Sequence, residues 1–202
     1  MTNRQLAAAE TRKKLVDTAK AIICDKGLTN TSVEEMTEAC GVSKGTFYTY
    51  FKRKEDIVFE LSRGMFDEIL ENAEKQDGTV VEKLEYYMTH FAEYIEKSSV
   101  KLAQEWVKNV VDPDISEIGI NKLAKDSAAV YRLLQLALEA GDLKDGTPIK
   151  NITADIVELL YGQMLCWALS GGKVSYKKRT EEFCKAHLAA LLNGYLVEKG
   201  ER

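Results

Sequence analysis

The chain has 202 residues, 45% of them apolar and 30% charged, with a net charge of −4, which excludes a disordered protein. No apolar run approaches the roughly 20 residues that span a bilayer. The N-terminal "MTNRQLAAAETRKKL" lacks a signal-peptide core, so a cytoplasmic protein with no membrane partner is expected.

Charge is distributed unevenly. Residues 1–54 carry ten basic and six acidic side chains, while the remainder carries eighteen and twenty-six. A positive head on an acidic body suits a nucleic-acid-binding module joined to a different kind of domain. Cys24, Cys40, Cys166 and Cys184 form no CxxC pair and read as free thiols. Cys184 and His187 share a helical face, but a zinc site needs three or four ligands, so no metal or other cofactor is expected.

In chain order the pattern is helical throughout. Leu15, Ala19, Ile22 and Ile23 define the apolar face of a first helix that ends at Gly27. Ser32 and Glu35 form the spacing of a capping box for a short second helix that stops at Gly41. Ser43 is the N-cap of a third short helix reaching about Phe51. A fourth runs from near Lys54 to about Gln76, a fifth from the Thr79/Glu82 box to about Lys97, and a sixth from Ser99 to Val111, stopped by "DPD" at Pro113. A seventh spans about Ser116 to Ala140. After "AGDLKDGTP" come an eighth, about Thr153 to Leu169, and a ninth, about Tyr176 to Val197. The expected architecture is all-α: a three-helix DNA-binding domain over residues 1–54, then a helical effector-binding and dimerisation domain over 55–202.

Two short helices joined by about three residues make a helix-turn-helix, whose second helix enters the major groove. At 100° per residue, Phe47 and Phe51 fall together and face inward, while Gly45 and Thr49 lie opposite, flanked by Thr46 and Tyr48. Gly45 lets backbone approach base edges closely. Thr46 and Thr49 offer hydroxyls and methyls to bases, and Tyr48 and Tyr50 offer phenols to phosphates. Lys44, Lys52 and Lys54 supply charge, and Ser32 aims a hydroxyl the same way.

The stretch "TSVEEMTEACGVSKGTFYTYFKRKEDIV", residues 31–58, resembles the DNA-binding segment of the tetracycline-repressor (TetR) family of bacterial regulators. "RKKLVDTAKAIICDKG", residues 12–27, is similar to the helix that precedes it in the family. The resemblance implies a homodimer paired through the last two helices and a ligand cavity within helices four to eight. It also implies that Ser32, Ser43, Lys44, Gly45, Thr46, Tyr48, Thr49, Tyr50 and Lys54 touch DNA. Glu34 departs from this pattern, because a carboxylate near phosphate repels it; the residue instead accepts from a cytosine amino group or faces solvent.

The body offers aromatic residues with polar edges, and Phe66, Tyr87, His90, Phe91, Trp106, Tyr131, Met164 and Trp167 are the candidate lining of an apolar effector pocket. Ile156, Leu159, Leu160, Gln163, Met164 and Trp167, with Phe183, His187, Leu188, Leu191, Leu192 and Tyr195, mark the stripes expected to form a four-helix dimer bundle, punctuated by Gly162, Ala168, Ala186, Ala189 and Ala190. The expected function is a repressor that binds a palindromic double-stranded operator as a homodimer and is released by a small apolar effector. The alternative is a DNA-binding protein without such an effector, responding to a protein or through a thiol. No catalytic motif supports an enzyme.

Overall fold

A computed structural model describes residues 2–61, 65–110 and 116–197. The Pro113 turn, and residues 62–64 of the expected fourth helix, lie outside them. Among the described residues there is no strand, only an isolated antiparallel bridge between Leu143 and Leu196. The chain forms two compact units, one of Met1–Arg63 with Lys101–Gly119, the other of Gly64–Val100 with Ile120–Arg202.

The first unit contains α1 (Asn3–Lys26), α2 (Val33–Cys40), α3 (Lys44–Tyr50), α4 (Asp56–Glu60) and α7 (Val100–Val110), which belongs to it from Lys101 onward. Helix α1 starts nine residues before Arg12 because Thr2 and Gln5 form a complete capping box at its head. It ends where Gly27 takes φ 83°. The α2 cap is half of the expected box: Ser32 Oγ accepts from the Glu35 amide at 3.1 Å, while the Glu35 carboxylate pairs with Lys26 instead. Leu15, Ala19 and Ile23 of α1 pack with Met36, Cys40, Phe47, Phe51, Ile57 and Leu102 in one core.

The second unit contains α5 (Met65–Lys75), α6 (Val80–Ser98), α8 (Ser116–Glu139, in this unit from Ile120), α9 (Ile149–Leu169), α10 (Tyr176–Phe183), a π turn (Cys184–Leu188) and α11 (Ala189–Leu192). The Thr79/Glu82 box forms in full at the head of α6. The expected ninth helix therefore carries a π turn in its middle and ends at Leu192. Its tail leaves the helix because loop 142–144 competes for its backbone: Lys144 N donates to Tyr195 O at 2.8 Å and Val197 N to Asp142 O at 3.0 Å.

Helix α9 is long and apolar enough by composition to cross a membrane, with a mean hydropathy of 1.3. It instead contributes to this unit's core, where Ile152, Ile156, Val157 and Leu160 pack with Leu84, Tyr87, Met88 and Leu133. Most of the apolar stripe expected at a dimer interface is thus turned inward, including Ile156, Leu160, Met164, Trp167, Leu188 and Leu192. The neighbouring face is exposed, with Gly162, Leu165, Cys166 and Leu169 on α9 and Ala186, His187, Ala189 and Ala190 near the C-terminus.

Ser99, between α6 and α7, has φ 139°, a conformation that L side chains rarely adopt. Replacing it with glycine removes that strain: Ser99→Gly is expected to raise stability by about 1 kcal/mol. Urea denaturation checks this, and a lower midpoint would contradict it.

Candidate nucleic-acid interface and effector site

The turn between α2 and α3 comprises Gly41, Val42 and Ser43. Gly41 occupies the left-handed region at φ 73°, and the Val42 amide donates back to Thr37 O at 2.9 Å, so the chain reverses within a single residue. Ser43 then caps α3, accepting from the Thr46 amide at 3.1 Å. Phe47 is fully buried and lies 5.1 Å from the Phe51 ring. The Arg12 guanidinium stacks 5.5 Å over Phe51 and pairs with Glu60, tying α1 to the far end of α3.

With Phe47 directed inward, the opposite face of α3 is left to solvent. Lys44, Gly45, Tyr48 and Thr49 are exposed, as are Ser32, Ser43, Lys52 and Arg53 nearby. Tyr48, 57% exposed, meets Phe47 only edge-on. Thr46 is half-buried and Tyr50 packs partly against the core. The Thr49 hydroxyl donates to Gly45 O at 2.9 Å, leaving its lone pairs free to accept.

The fold itself makes no demand for glycine at position 45. A Cβ there would meet only Ser43 Oγ, at an ordinary 3.6 Å, and its φ lies outside the left-handed region. A helical glycine costs about 1 kcal/mol relative to alanine. Nothing within the chain thus offsets that cost.

Two residues have additional roles. The Lys54 ammonium donates to Leu28 O at 3.0 Å and Thr31 O at 3.2 Å, stitching the α1–α2 loop to the head of α4 and leaving one of its three donors. Glu34 pairs with Lys44 across the helix-turn-helix. The carboxylate at that unusual position thus balances a cation on the reading face. Arg53, absent from the sequence-based set, is an exposed cation beside Lys52; both amides are held by Asp56 Oδ2, at 3.0 and 2.9 Å. Its signal was plain in "KRK", overshadowed by the lysines flanking it.

In the second unit the structure brings several of the candidate effector residues together. Phe66 stacks on Phe91 at 4.5 Å and meets Tyr94 edge-on; Tyr87 lies 6.1 Å from Phe91. Met164 and Trp167 are buried, Trp167 stacking on Tyr176. Tyr131 packs on the edge of this core, and His90 stacks on Tyr86 while its Nδ1 donates to the Tyr86 carbonyl at 2.8 Å. Trp106 is not among them, since it packs against the core of the first unit.

A polar network runs through these apolar residues. Asp126, 3% exposed, accepts from the Tyr161 hydroxyl at 2.7 Å and pairs with Lys122. The Lys122 ammonium sits 4.3 Å over the Phe66 ring. Burial pushes the Lys122 pKa down, against the pull of Asp126, and raises those of Tyr87, Tyr161 and Tyr176 well above the usual phenol range. Sequence reasoning missed Lys122, Asp126 and Tyr161. The available signal was a lysine and an aspartate prolonging the stripe of Val130, Leu133 and Ala137 on α8. Burial pushes the Cys184 thiol up to about 12, which keeps it protonated and unreactive.

Residues 15–61 match the family model described as bacterial regulatory proteins, tetR family. That stretch, from α1 through α4, is a DNA-binding segment of the TetR type. Over 165 residues it is 24% identical to the fatty acid metabolism regulator protein of Bacillus subtilis, covering 79% of this chain and 84% of that one. It is 26% identical over 192 residues to the transcriptional repressor KstR2 of Rhodococcus jostii, covering 91% and 90%. The solved structure of Thermus thermophilus FadR, a TetR-family repressor in complex with lauroyl-CoA, superposes with a TM-score of 0.73 at 20% identity over 95% of this chain and 98% of that one. Within that match, α2 and α3 are the helix-turn-helix.

Gly45→Ala separates the two demands on α3. It is expected to stabilise the protein by roughly 0.5–1 kcal/mol in denaturant. Binding to a DNA site selected by the wild type from a random pool should weaken at least tenfold; unchanged affinity would contradict the role given to this face.

Proposed function

We propose that this protein is a homodimeric transcriptional repressor that binds a palindromic operator and leaves it on binding an acyl thioester. The observation that carries the DNA half is Gly45, a costly helical glycine required by nothing in the fold, at the centre of an exposed face bearing Lys44, Tyr48 and Thr49, with half-buried Thr46 beside it. Ser32, Ser43, Tyr50, Lys52, Arg53 and the remaining donor of Lys54 contact phosphates at its margins. Two copies of α3 enter successive major grooves about 34 Å apart. Residues 1–54 form the operator-binding domain and the chain from 55 onward the effector-binding and dimerisation domain, acting in the cytoplasm.

Dimerisation uses the outward face of α9 and the C-terminal helices. Leu169 is 77% exposed there and Leu165 40%, beside Gly162, Ala186, Ala189 and Ala190, whose small side chains permit close helix contact. The effector half rests on the largely apolar aromatic core of the second unit and on the FadR relative solved with lauroyl-CoA. A ligand that favours one arrangement of the dimer over another changes the spacing of the two α3 helices and so the affinity for DNA.

Light scattering should return twice the 22.7 kDa chain mass. Gel shifts on the selected site should show one dimer bound, and micromolar dodecanoyl-CoA should abolish the shift. A monomer, or a shift indifferent to acyl-CoA, would contradict the corresponding half of the proposal.

A further inference from the structure

Tyr87 is 1% exposed, and its hydroxyl has no hydrogen-bond partner. Buried hydroxyls without partners are rare because each forfeits its hydration for nothing in return. Neighbouring phenols are satisfied: Tyr161 donates to Asp126 and Tyr176 donates to Leu160 O at 2.8 Å. Packing does not require the oxygen, since phenylalanine would fill the same space against Phe91. No group of the described chain supplies its partner.

The surroundings specify its charge. Lys122 is engaged by Asp126 and lies over the rings of Phe66 and Phe91, at 4.3 and 5.6 Å, so the buried pair is neutral as it stands. Burial, with smaller contributions from Asp126 and Asp67, raises the Tyr87 pKa. The buried phenol therefore keeps its proton and is a donor, while a carboxylate brought to it would be desolvated with the Lys122 ammonium already engaged by Asp126. An uncharged acceptor on an otherwise apolar molecule meets both conditions.

We infer that Tyr87 donates its hydroxyl to the uncharged carbonyl oxygen of the effector, so that the second unit takes an acyl ester or thioester in preference to the free carboxylate. This rests on the effector reading proposed above and adds to it the residue and the functional group.

The test compares wild type and Tyr87→Phe by calorimetry against dodecanoyl-CoA and against the S-dodecyl-CoA thioether, which has the same chain and no carbonyl. The thioester should bind the variant about tenfold more weakly than wild type, the worth of one good hydrogen bond. The thioether should bind both proteins alike. The ligand-free variant should melt above wild type, since it no longer buries an unpaired hydroxyl; a lower melting point would show that the oxygen serves the fold and overturn the inference. Wild type should also bind methyl dodecanoate more tightly than dodecanoate, and the reverse order would overturn the preference for an uncharged group. Equal thioester affinity for the two proteins overturns this inference alone. Failure of wild type to bind either CoA compound contradicts the acyl-thioester effector itself and removes the inference with it.

Discussion

The burial of Phe47 is the interaction on which the DNA-reading surface depends. Helix α3 has seven residues, far too few to be stable alone in water. It includes a glycine and two threonines, which lower its helix propensity further. What holds it is the Phe47 ring, fully buried among Leu15, Ala19, Met36 and Phe51. Removing such a ring typically costs about 3–5 kcal/mol. Because that one side chain holds the helix, the other side is relieved of any structural task and can present glycine, hydroxyls and a lysine.

The second unit follows the opposite logic. Its helices are individually amphipathic or apolar and need no such anchor, yet polar groups lie within their shared core. A buried Lys122–Asp126 pair is weak support for stability, since desolvation offsets most of its attraction. The Tyr87 hydroxyl is a net cost. A core built for stability alone would replace all three with apolar side chains. Their presence, alongside stacked Phe66 and Phe91, is consistent with the effector site proposed for this unit. The two units thus share a pattern, a local loss of stability at the place where the proposed function puts a binding partner.

Local features were the legible ones. The cap at Ser43, the left-handed Gly41 and the Phe47/Phe51 spacing all act within a few residues, so the helix-turn-helix could be read before any coordinates. Helix α9 and the Thr79/Glu82 box were readable for the same reason. Features set by distant partners were not. Lys54 gave no sign that its ammonium is spent on the carbonyls of Leu28 and Thr31, more than twenty residues earlier. Trp106 matched the other aromatics in composition but packs with the first unit. The stripes on α9 and the last helix were apolar for an internal reason, and the exposed face beside them, small and less hydrophobic, left a fainter trace. Asp126 and Tyr161 lie 35 residues apart, and only folding joins them.

In the proposed complex, α3 meets DNA with an exposed cationic margin of Lys44, Lys52 and Arg53, doubled in a dimer. Each phosphate neutralised releases counterions, so operator affinity must fall with salt at a slope that counts the contacts. Measured by fluorescence anisotropy from low to moderate potassium chloride, log K against log salt is expected to be linear with a slope of about −5. A slope near zero would mean that this surface does not lie against the DNA backbone, and the account of α3 as the operator-reading element would be wrong.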